Sequence, residues 1–368
     1  MLGLLWRAVC VAFLLAAPMA ARAESRLVDF EVASKRFDGN RVGVSPTRKA
    51  VAYLPDGYEA GSWRYPVVYF LPNLFDDHRA IFDRDGARAV LDRAVAQGKV
   101  PPLILVSADF STPTGSSFYA TSPVTGDWTG FLASDLVAAV DGRFRTLPLP
   151  EARGLLGDRM GGYGAIRTAM LAPGVFGAVY ALHPVGTGVG LQTMNSRPNF
   201  ERLASAKSLD DLGDDGFSRV FLGMYQAFLP NPDRPPFYAD FPASGRGASL
   251  TTDPVLTAKL QNAFLLDRLL PTHAAELKAL RGLMFDWGRF DGNADHVVAN
   301  RAFAGLLEEL GVANEAEEYR GWWGERHWSR GGRVEDRVLP FFGRALAFDP
   351  SPLAGEGSPA EPGRVRGR

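Results

Sequence analysis

Gly157-Asp158-Arg159-Met160-Gly161-Gly162-Tyr163-Gly164-Ala165 decides how the rest of this 368-residue chain is read. Ahead of it, Ala152-Arg153-Gly154-Leu155-Leu156 is short and largely apolar. Behind it, Ala165 to Ala172 has helical character and stops at Pro173-Gly174. A strand, a glycine-pinched turn and a helix in that order make a nucleophile elbow, whose usual form is G-x-S-x-G. The glycines permit the tight turn and close strand–helix packing, and the central side chain is held out over the end of a sheet. Here the central residue is Arg159. It offers five N–H donors, no acceptor lone pair and a charge it does not give up, so it cannot attack a carbonyl or act as a base.

Working outward, the chain alternates strand and helix signals. Leu27 to Val32 has period-two alternation, and Lys49 to Leu54 precedes the turn Pro55-Asp56-Gly57-Tyr58. Pro66 to Leu71 and Leu103 to Ser107 are unbroken apolar runs, as expected of strands covered on both faces. Helices are expected over about 84–96, 132–140, 294–310 and 334–345, with later strands at about 282–286 and 317–319. The pattern predicts an α/β chain with a mostly parallel central sheet and helices on both faces. From about 186 to 271 the rhythm breaks into a stretch rich in Pro, Gly and Asn, read as a loop-rich, lid-like insertion.

The two ends are read apart from this domain (about 24–348). Arg7, the apolar stretch from Val9 to Ala17 and Ala21-Arg22-Ala23 fit a cleavable export signal over residues 1–23, which implies a periplasmic or secreted protein. Asp349 to Arg368 is Pro/Gly/Ser-rich and is expected to be disordered. The one cysteine, Cys10, lies in the signal, so the remaining chain has no thiol or disulfide. Removing Arg7 and Arg22 leaves 38 basic against 41 acidic residues, a net charge of −3. That balance gives no electrostatic case for nucleic acid. No later run is long and apolar enough to span a bilayer, no histidine spacing suits a metal, and no cofactor is implied.

The elbow, Ser117 to Trp128, Asp141 to Thr146 and Gly174 to Val179, in that order, resemble the putative-esterase family of α/β hydrolases. This group includes esterase D (S-formylglutathione hydrolase), feruloyl and acetyl xylan esterases and mycolyltransferases. The resemblance implies an α/β-hydrolase fold and a triad of nucleophile, acid and histidine. Asp286-Trp287-Gly288-Arg289-Phe290-Asp291 matches the family's D-x-G-x-x-D and places the acid at Asp291. Gly324-Glu325-Arg326-His327-Trp328 places the histidine at His327. The backbone N–H groups of Met160 and Leu74 would be the oxyanion donors, although Pro72-Asn73 replaces the family's His-Gly. Arg159 stands at the nucleophile position.

Three readings follow. One is a binding or accessory homologue without serine hydrolase chemistry, its ligand a carbohydrate or acyl-type small molecule. Another is a hydrolase or transferase with a non-serine centre of Arg159, His327, Asp291 and nearby acids. The third is an esterase with a displaced nucleophile, Ser116 or Ser117. Arg159 is expected to pair with Asp291 or Glu325, its planar fork suiting a carboxylate. Asp158 and Glu325 are also weighed as a carboxylate pair, and Trp128, Trp287, Trp322, Trp323 and Trp328 as the aromatic lining of a cleft or as core. His183 is expected to be structural.

Overall fold

The computed structural model describes residues 24–188, 198–323 and 327–349. The proposed signal, Glu325 and nearly all of the C-terminal tail lie outside the described residues. Eight strands form one sheet: β1 (Arg26–Ala33), β2 (Thr47–Leu54), β3 (Val67–Leu71), β4 (Ile104–Ala108), β5 (Arg153–Asp158), β6 (Ala178–Leu182), β7 (Gly282–Gly288) and β8 (Glu315–Tyr319). Their spatial order is β1-β2-β4-β3-β5-β6-β7-β8. β1 and β2 pair antiparallel, as do β2 and β4, and every pair from β4 to β8 is parallel. This is the α/β-hydrolase fold.

The apolar runs explain the order of burial. β3, β4 and β6 are buried at every position, because helices cover both faces of the sheet. One face packs against the elbow helix Met160–Leu171, the stretch Phe131–Arg143 and the helix Ala294–Glu309. The other packs against Ala87–Ala96 and Leu339–Ala345. At the edge, β8 carries Glu315, Glu317 and Glu318, each ion-paired to arginine. Charges on an edge strand discourage pairing with another chain.

The insertion departs from its expected loop-rich character. It carries four helices, Phe200–Ser205, Gly216–Phe228, Pro254–Phe264 and Leu266–Lys278, the last running back into the domain. Asn199, Asp215 and Asp253 cap the first three through their side chains, the usual work of short acceptors at helix starts. Gly216–Phe228 buries Leu222, Tyr225 and Phe228. Pro and Gly are dense between these helices, and that density masked the caps.

Candidate functional site at the carboxyl edge of the sheet

The elbow is built as its glycines require. Arg159 sits between β5 and the following helix at φ 57°, ψ −108°. A non-glycine residue there costs on the order of 1–3 kcal/mol and persists only where the surroundings fix it. They do. A side chain at Gly161 would put its Cβ 1.8 Å from the Leu71 carbonyl oxygen, and one at Gly157 would come within 2.0 Å of the Gly161 oxygen. The Arg159 N–H donates to Leu182 O at 2.8 Å, tying the turn to β6.

Among the described residues the arginine pairs with Asp158 and not with the expected Asp291. Its Nη1 donates to Asp158 Oδ2 at 2.8 Å, and its Cζ lies 3.7 Å from the centroid of the Trp323 ring. Glu325 lies outside the described residues. Asp291 is engaged elsewhere: it accepts the Asn293 N–H at 2.8 Å and pairs with His296 Nδ1 at 2.9 Å. The turn after β7 folds Asp291 back onto the first turn of the helix Ala294–Glu309, where His296 stands. The expected Asp291–His327 couple is therefore not formed.

His327 is buried and faces a different set of groups. Its Nε2 stands 3.7 Å from Asp158 Oδ1, beyond hydrogen-bond range, and both ring nitrogens lack a hydrogen-bond partner. Its ring is 5.0 Å from that of His183. Burial, reinforced by the Arg159 and Arg333 charges, pushes its pKa down to about 4 against the pull of Asp286. Asp286, at the start of the D-x-G-x-x-D run, is fully buried and accepts from Tyr180 Oη at 2.6 Å and Arg333 Nε at 2.7 Å. Burial raises its pKa, with Arg333 acting against the shift.

His183 does more than pack. It follows β6 at φ 44°, its Nδ1 accepts the Gly288 N–H at 3.4 Å, and its Nε2 meets the Tyr319 hydroxyl. With Nδ1 accepting, the proton belongs on Nε2. Burial foremost, then His327 and Arg159, push its pKa down to about 2. The Asp158 carboxyl moves the other way, lifted by burial to about 6 although Arg159 lowers it. At neutral pH this gives neutral imidazoles beside a carboxylate whose proton returns in mild acid.

The remaining expected residues separate clearly. The Met160 N–H donates to Asn73 Oδ1 at 3.3 Å, so a side chain of the early loop already takes the hydrogen bond foreseen for an oxyanion. Leu74 lies in that loop, half-buried and packed on the core. Trp128 is a correction: it is fully buried against Phe37 at 4.5 Å, with Nε1 donating to Thr125 O, because its loop folds into the core. Trp287 is another, lying on the sheet face against Phe285 with Nε1 donating to Glu318. Trp328 packs on Phe70. Trp322, Trp323 and Phe290, by contrast, are exposed. Ser116 and Ser117 are buried, their hydroxyls accepting from the N–H groups of Phe118 and Tyr119. Sequence reasoning missed Asp286, Arg333 and His296; the first aspartate of the D-x-G-x-x-D run was the one signal available for them. Among the described residues, no group of three or more His, Cys, Asp and Glu side chains could hold a metal ion. No helix among them is long and apolar enough to cross a membrane.

A family model described as putative esterase matches residues 44–188, a stretch that contains the elbow. The match spans less than half of the chain and marks residues 44–188 as similar to that family. A Mycobacterium tuberculosis esterase is 29% identical over 140 residues, covering 36% of this chain and 28% of its own length. The aligned region is thus a little over a quarter of that relative. Among solved structures, a ferulic acid esterase superposes with a TM-score of 0.61 at 16% identity, covering 88% of this chain and all of its own. An S-formylglutathione hydrolase from Staphylococcus aureus gives 0.54 at 13%, covering 87% and 99%. A feruloyl esterase module from Clostridium thermocellum, complexed with sinapinate, gives 0.50 at 13%, covering 89% and 90%. At these identities the likeness is one of fold. The family match stops short of Asp291 and His327.

Proposed function

We propose that this chain is an exported, esterase-like protein that forms no serine acyl-enzyme and binds a small carbohydrate or acyl-type ligand over its elbow. The observation that carries the reading is Arg159 itself. It stands where a nucleophile would attack, and it is braced there by Asp158 and Trp323. A guanidinium has no lone pair to give a carbonyl carbon, and loss of a nucleophile costs on the order of a million-fold in turnover. Its fork is suited instead to holding a carboxylate or carbonyl oxygen, and the exposed Trp322 and Phe290 offer ring faces nearby. Sinapinate in a structural neighbour and the esterase names of the others support an ester- or phenolate-derived ligand. The signal-like residues 1–23 support export, checked by sequencing the N-terminus of the protein recovered from a periplasmic fraction.

A second reading has one observation in its favour. His327 and Asp158 face each other with buried, unpartnered atoms, an arrangement in which a water could be activated without any covalent step. One set of assays separates the readings. Purified wild type, Arg159→Ser and His327→Ala are tested with small aryl esters and a fluorophosphonate, and their melting is followed with ferulate and oligosaccharides. The expected result is no labelling or turnover in wild type, labelling gained in Arg159→Ser, and ligand-dependent stabilisation lost in Arg159→Ser. Turnover without labelling, abolished by His327→Ala, establishes the second reading. A fluorophosphonate adduct on the wild-type chain overturns both.

A further inference from the structure

The opposite edge of the sheet carries a concave site, built where β2 ends and where β3 and β5 begin. There a cavity of about 550 Å³ is lined by Arg26, Arg64, Arg143 and Arg145, with Glu59 and Asp141 as its acids. Arg26 pairs with Glu59. Asp141 is already committed to Arg153 at 2.5 Å and to the Thr146 hydroxyl at 2.6 Å. Arg64 donates to Thr146 O at 3.0 Å, and Arg145 donates to Trp63 O at 3.2 Å and to Tyr58 O. Backbone carbonyls hold a guanidinium in place without cancelling its charge. Arg145 also lies 3.9 Å from the Tyr58 ring centroid, and Arg143 lies 5.3 Å from that of Phe30. The groove thus concentrates positive charge in a chain whose total is close to neutral.

We propose that this groove is a binding site for a phosphoryl group, separate from the elbow. Several guanidiniums facing one cavity suit a multivalent anion better than a lone carboxylate, because each fork can present two N–H groups to phosphate oxygens. Arg145, seated on Tyr58 and fixed to two carbonyls, is preorganised. Arg64, held at the Thr146 carbonyl, and Arg143, over Phe30, are exposed to an entering anion. The phosphoryl group belongs either to a soluble phosphate or to a lipid headgroup. Exposed Trp63 and Leu149 beside these loops are the side chains a membrane surface would meet in the second case.

Calorimetric titration with inorganic phosphate, together with flotation on phosphatidylcholine vesicles with and without phosphatidylglycerol, tests the site. Wild type, Arg64→Ala, Arg143→Ala and Arg159→Ser are compared, with melting curves confirming that each variant is folded. Saturable phosphate binding is expected, weakened about tenfold by each groove variant and unchanged by Arg159→Ser. Binding to phosphatidylglycerol vesicles alone, with the same sensitivity to the groove variants, supports the site and assigns the headgroup as its source. The proposal is overturned by the absence of both, by binding indifferent to Arg64→Ala and Arg143→Ala, or by binding lost only in Arg159→Ser. Failure of the elbow reading leaves these outcomes untouched, since they depend on residues at the other edge.

Discussion

Two acid–histidine couples stand above the carboxyl edge of the sheet, and they are made differently. Asp291 and His296 are five residues apart, meet at 2.9 Å and share a turn with Asn293. Asp158 and His327 come from distant parts of the chain and stop at 3.7 Å, each with buried atoms lacking a hydrogen bond. The local couple is a completed contact, reached by closing a very short loop at small entropic cost. The distant one is open, and its carboxylate is held instead by Arg159. The acid and histidine expected of the family are both present, yet each faces a different neighbour.

The largest effect that would test this contrast is on stability. Asp158→Asn leaves the mostly buried Arg159 without its ion-pair partner and is expected to cost about 3 kcal/mol in urea denaturation. Asp291→Asn removes a contact that a neutral amide can partly replace and should cost about 1 kcal/mol. Equal losses would erase the distinction between the couples.

A second test is pH. His183 and His327 are held well below their ordinary 6.5, so below that value the unfolded chain binds more protons at these sites. Their neutral burial therefore costs stability progressively as pH falls from about 6.5 toward their folded values. Asp158 has the opposite sign. Lifted to about 6, it holds a proton in the folded chain that the unfolded chain has released, so it favours folding as pH drops from about 6 toward 4. With two imidazoles against one carboxyl, these three groups make wild type less stable at pH 5 than at pH 7. His327→Gln should shrink that difference, and Asp158→Asn should widen it. Melting temperatures that shift the same way in both variants would show that the two groups do not oppose each other. The smallest effect is expected from Trp323→Ala, about 0.5 kcal/mol, from losing the ring beneath the Arg159 guanidinium.

Much of the frame was legible before any coordinates. The unbroken apolar runs at Val67–Leu71 and Ile104–Ala108 identify central strands, and Gly157 and Gly161 mark a turn that no other residue fits. What escaped was direction. Trp128 and Trp287 were open to either a cleft or the core, because periodicity does not say which way a side chain points, and both are packed in the interior. The pairing of Asp291 escaped for a related reason. A motif orders residue types along the chain, whereas the partner of a carboxylate is decided by the next turn of backbone. His296, three residues into a helix start, gave no spacing that a sequence rule could use.

The backbone at residue 159 remains in a posture suited to a reacting atom, although the side chain it displays has none. Since that posture is enforced by the chain crossing behind it and not by the arginine, position 159 behaves as a fixed mount. A serine, cysteine or lysine installed there would be held out from the same point, so new reactivity could be introduced by exchanging one residue without redesigning the scaffold.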